Sequence, residues 1–118
     1  MALDQETTMN PLELPEPIAA YFEADKRGRD SVAQCFTAHA MVKDEGQTHI
    51  GLAAIKAWKT AASERYSYAS EPFAIEQKED GGYTVTSRLT GNFPGSPVNL
   101  RFVFRLERGK IVALEIAP

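Results

Sequence analysis

At 118 residues, with 43% hydrophobic and 25% charged positions and a formal net charge of −3, the chain is one globular domain's worth and buries one core. Lys and Arg are scattered among Asp and Glu, so there is no basic stripe for a nucleic acid, and no apolar run is long enough to cross a bilayer. A lone cysteine, Cys35, forms no internal disulfide, and with only His39 and His49 beside it a zinc site is hard to assemble. Acids in Met1–Glu6, where a signal peptide carries positive charge, make a cytoplasmic protein the expectation.

Residues 1–13 are polar and aperiodic and read as a flexible lead-in; residues 14–118 read as a single domain. From Pro17, the spacing of Ile18, Tyr21, Phe22 and Asp25 predicts a first helix that Gly28 stops. Asp30 is placed to cap a short second helix burying Val32, Cys35 and Phe36, with Cys35 a small core hydrophobe. A strand follows through Ala40, Val42 and Asp44, with Met41, Lys43 and Glu45 on its other face. Lys43 is the costliest of these to bury, so Asp44 leans inward on an apolar face and is a candidate general base. The same Asp44-Glu45-Gly46 also reads as a polar hairpin turn, returning through residues 47–50.

Gly51 opens a longer, alanine-rich helix with Leu52, Ile55, Trp58 or Lys59, and Ala62 on one side. From Tyr66 the period becomes two. Phe73, Ile75 and Gln77 share one face of a strand; Tyr83, Val85, Ser87, Leu89, Gly91 and Phe93 share a face of the next. Val98, Leu100, Phe102, Phe104 and Leu106 alternate with Asn99, Arg101, Val103 and Arg105, and a last strand sets Val112, Leu114 and Ile116 against Ile111, Ala113 and Glu115. Helices first and a strand meander afterwards predict an α+β domain with helices on one face of a bent sheet.

Three local patterns carry a resemblance. They are Ala20-Tyr21-Phe22-Glu23-Ala24-Asp25-Lys26-Arg27-Gly28, the run Cys35-Phe36-Thr37-Ala38-His39-Ala40-Met41-Val42-Lys43-Asp44, and His49-Ile50-Gly51-Leu52-Ala53-Ala54-Ile55. In this order they resemble the nuclear transport factor two-like superfamily, and within it the SnoaL-like polyketide cyclases and ketosteroid isomerase. The resemblance implies a cystatin-like α+β barrel: a cone-shaped, curved antiparallel or mixed sheet wrapped around three helices, with an apolar pocket. It implies a homodimer through the outer sheet face, where Arg88, Arg101, Val103 and Arg105 fall, and a small apolar molecule as partner.

Carried over by position, the isomerase's proton-shuttling aspartate falls on Asp44 and its oxyanion-binding tyrosine on Tyr21. Tyr21 equally reads as a core aromatic with its hydroxyl tied to a neighbour. The isomerase's second, protonated acid falls on Phe102, which donates no hydrogen bond; losing one such donor costs about 2.7 to 4 kcal/mol of transition-state stabilisation. His49 is a candidate partner of Asp44 or a helix-entry residue, His39 is expected at the surface, and Glu115 faces either the pocket or solvent. Trp58, Phe102, Phe22 and Val42 are the expected pocket wall. The implied chemistry is isomerisation, cyclisation or lysis of an apolar carbonyl compound with no metal or organic cofactor, and a non-catalytic binding or assembly module of the same fold is the competing reading.

Overall fold

The computed structural model describes residues 12–27 and 29–118; the expectations for the first eleven residues and for Gly28 lie outside the described residues. Helix α1 spans Glu16–Asp25, α2 Arg29–Ala33 and α3 Leu52–Arg65. The strands are β1 Phe36–Asp44, β2 Gln47–Ile50, β3 Tyr68–Gln77, β4 Tyr83–Gly91, β5 Val98–Glu107 and β6 Lys110–Ala117. They form one six-stranded sheet in the order β2-β1-β6-β5-β4-β3. Among the described residues β1 and β6 pair in parallel and the other neighbours antiparallel, so the sheet is mixed. Among the described residues no helix is long and apolar enough to cross a membrane.

Local chemistry accounts for the elements. Pro17 sits in the first turn of α1, where its missing N–H leaves nothing unsatisfied. Glu45 (φ 53°) and Gly46 (φ 77°) form the two-residue turn joining β1 to β2, so the residues after Asp44 are a hairpin turn while Asp44 itself is the last residue of the strand. Gly51 (φ 90°) starts α3 from a backbone conformation closed to most L-residues, and its N–H donates to the Ala40 carbonyl, tying that start to β1.

The core lies between the helices and the concave face of the sheet, built on Ile18, Tyr21, Val42, Ile55, Val85, Phe104, Ile111 and Leu114. The expected inward faces of β1, β4 and β5 hold. Other expectations need correction. Helix α2 spans Arg29–Ala33, so Asp30 lies inside it and not at the position before its first turn. Cys35 is half-buried after that helix, its thiol donating to the Ser31 carbonyl at 3.7 Å, and packs at the edge of the core. A bulge between Pro72 and Ala74 turns Phe73 out to 53% exposure, so it does not share a buried face with Ile75. A second bulge, in the pairing of β5 with β6 between Arg105 and Leu106, lets Ile111 and Leu114 both face the core. Glu115 and His39 are exposed.

Candidate functional site

The concave side of the sheet leaves a cavity of about 460 Å³, large enough for a small ring system. Its exposed lining residues, Glu45, Pro94 and Gly95, mark the mouth, and its buried lining residues, Tyr21, Trp58, Lys59 and Phe102, form the inner wall.

Asp44 lines this cavity from the end of β1. One of its carboxylate oxygens, Oδ2, accepts a hydrogen bond from Trp58 Nε1 of α3 at 3.0 Å, which fixes the carboxylate. No described residue donates to the other oxygen, which leaves lone pairs for a ligand. Tyr21 lines the same cavity from α1 and is 1% exposed. Phe22, Phe102 and Phe104 hold its ring, with centroids 5.2, 6.3 and 5.6 Å away. Its hydroxyl has no hydrogen-bond partner among the described residues. Burial pushes the Tyr21 phenol well above the usual tyrosine range, against the pull of the Lys59 charge, so it is a neutral donor at physiological pH.

Beside Tyr21 lies a cluster that patterning along the chain does not bring out. Lys59 Nζ, buried in α3, sits 2.7 Å from Asp25 Oδ1 at the end of α1 and donates to the Tyr68 hydroxyl of β3 at 2.8 Å. Tyr68 in turn donates to Asp25 at 3.5 Å. The ammonium also lies over the Trp58 ring, 4.8 Å from its centroid. Burial alone would pull the Lys59 pKa down; the charges that Tyr21, Asp25 and Tyr68 carry when ionised, with the hydrogen bond to Asp25, outweigh it and raise it, so the nitrogen stays charged. Burial likewise raises the Tyr68 phenol, with Lys59 opposing and Asp25 adding to the rise.

The other expected pocket residues divide. Trp58 and Phe102 line the cavity, whereas Phe22 and Val42 sit behind it in the core. His49 lines a separate groove of about 280 Å³ that shares Asp44 and Trp58 with the main cavity, its ring tilted against Trp58 at 6.1 Å. It therefore lies outside the main cavity, in the groove whose lining includes Asp44. Lys59, Asp25 and Tyr68 are the residues that the sequence reading passed over as site residues. The available signal was Asp25, an acid on the buried stripe of the first helix with the spacing of Tyr21. Among the described residues no group of three or more His, Cys, Asp or Glu side chains is arranged to hold a metal.

No family model and no curated protein matches the sequence. Solved structures do. The protein SMa1630 of Sinorhizobium meliloti, a candidate polyketide cyclase, shares 38% of its sequence with this chain over 87% of this chain and 94% of its own, with a TM-score of 0.82. The chain belongs to the SnoaL-like, nuclear transport factor two-like superfamily. More distant members share the fold. A ketosteroid isomerase-like protein of Catenulispora acidiphila, solved with trimethylamine, is 18% identical over 90% of this chain and 87% of its own, with a TM-score of 0.79. TerC, crystallised with polyporic acid, is 18% identical over 86% of this chain and 87% of its own, with a TM-score of 0.70. The SnoaL-like fold thus stands on both the sheet topology and a close relative.

Proposed function

We propose that the cavity binds a small, largely apolar carbonyl compound and that the protein is an isomerase, cyclase or lyase of the SnoaL-like type, with Asp44 as general base and Tyr21 as oxyanion donor. Asp44 takes the proton from the carbon beside the carbonyl; the C–H electron pair becomes the C=C bond of an enolate, and the oxygen takes up the charge while accepting from Tyr21. Return of the proton to another carbon completes an isomerisation. Attack of the enolate carbon on a second carbonyl carbon, whose C=O π pair moves onto its oxygen and takes the proton back from Asp44, completes an aldol-type cyclisation. None of these steps calls on a metal or organic cofactor. One observation carries the reading: an anchored carboxylate and an unpartnered buried hydroxyl line the same cavity. The small molecules held by the Catenulispora protein and by TerC are in keeping with a ligand site in this fold. We assign His49 a lesser part, exchanging protons with Asp44 from the outer groove, and place self-association on the outer sheet face, where Arg88, Arg101, Val103 and Arg105 are exposed.

The test is proton exchange in deuterium oxide with a panel of planar carbonyl compounds, read by NMR. Exchange beside the carbonyl is expected with the wild type, and Asp44→Asn is expected to slow it about 10²- to 10⁴-fold, the range for losing a positioned general base. Equal exchange by both proteins would leave the competing reading, a ligand-binding or assembly module.

A further inference from the structure

On the inner wall of the cavity, one N–H of Lys59 and the Tyr21 hydroxyl have no oxygen acceptor among the described residues. An ammonium has three N–H donors. Asp25 takes one from Lys59 and Tyr68 another, and no oxygen among the described residues takes the third. The Tyr21 hydroxyl is equally unclaimed, although both side chains are almost fully buried. The two line one cavity, with Lys59 Nζ 5.9 Å from the Tyr21 ring centroid. Leaving a buried donor without an acceptor is unfavourable, and two such donors in one wall suit an oxygen atom of a ligand. Asp25 and Tyr68 hold the ammonium from two sides, and the face of Trp58 lies 4.8 Å from it in the same cavity wall.

We propose that Lys59, held by Asp25 and Tyr68, is the second donor of an oxyanion site with Tyr21, and that the ligand is a planar carbonyl compound whose oxygen ionises on binding, as an enolate or a phenolate. This deepens the functional reading above and rests on the cavity being its site. It also answers what Phe102 leaves open: the donor that a phenyl ring in β5 cannot supply comes from α3. The clamp keeps the nitrogen protonated and its lone pair occupied, so imine formation is not the role assigned to it.

The experiment is titration with 2-naphthol, a planar probe with one ionisable oxygen, at a pH where free naphthol is mostly neutral, with absorbance reporting its ionisation. The wild type is expected to bind it as the naphtholate. Lys59→Met leaves Asp25 buried without its partner and risks unfolding, so the deciding variant is Lys59→Met with Asp25→Asn, which removes both charges together. It is expected to weaken naphtholate binding about 10- to 100-fold, the weight of one hydrogen bond to a charged group. Asp44→Asn, by contrast, keeps or strengthens naphtholate binding while losing isotope exchange, which separates failure of this proposal from failure of the general-base assignment. Undiminished naphtholate binding by the double variant overturns the proposal, as does a wild type that binds naphthol only in its neutral form or not at all.

Discussion

Asp44 does two jobs that one side chain rarely combines: it ends a strand at a tight turn and presents a carboxylate to an apolar cavity. The alternation along β1 was enough to read its direction, since Ala40 and Val42 are fully buried and Lys43 is exposed. Its anchor was harder to see, because the Trp58 indole N–H comes from a helix that is a neighbour only in space. Trp58→Phe keeps the ring and removes the donor. It is expected to slow isotope exchange about tenfold, through loss of one hydrogen bond to a charged group, with the melting temperature changed far less than by a core truncation. An unchanged rate would mean that Asp44 holds its orientation without the indole. Helix spacing offers Trp58 or Lys59 for the packed side of α3, and both are buried; what it does not give is the partners of Lys59. Burial of a lysine is costly unless it is paired, and its partners Asp25 and Tyr68 come from two other elements, α1 and β3.

At the scale of elements, strand faces were legible wherever alternation is unbroken, as in β4 and β5, and illegible at the bulges, which add a residue without marking the sequence. The join between β3 and β4 bears on the site. Gly91 pairs with Tyr68, and a Cβ on Gly91 would lie 2.3 Å from the Ser67 carbonyl oxygen and 2.8 Å from Tyr68 Cα. Backbone on both sides cannot yield as a flexible side chain does. Gly91→Ala is therefore expected to cost about 1 to 3 kcal/mol, measured by chemical denaturation, and to shift Tyr68 away from Lys59. Wild-type stability in that variant would mean that the two strands part without cost.

For the whole molecule, the helix-then-meander order gave the layers, and the local patterns gave the SnoaL-like family that SMa1630 bears out. The parallel pairing of β1 with β6, which joins the first strand to the last, has no local signal in the sequence. Two buried groups tie stability to alkaline pH. Tyr21 and Lys59 both hold their protons more tightly in the fold than in the unfolded chain, so the stability they contribute is whole below their ordinary pKa values and is lost as pH rises through the raised ones. These groups are expected to add no slope to the unfolding free energy from about pH 7 to about pH 9, and a decline above about pH 10, less steep in Tyr21→Phe. A profile for that variant identical to the wild type's would contradict the linkage.

We propose that the cavity is a reaction site with Asp44 as its base. Side-by-side isotope exchange by the wild type and Asp44→Asn, on one carbonyl compound shown by titration to bind both, tests it most directly. Exchange that needs the carboxylate, with binding retained by the variant, is the result the account requires. Equal exchange by the two proteins, or none by a wild type saturated with ligand, would contradict it.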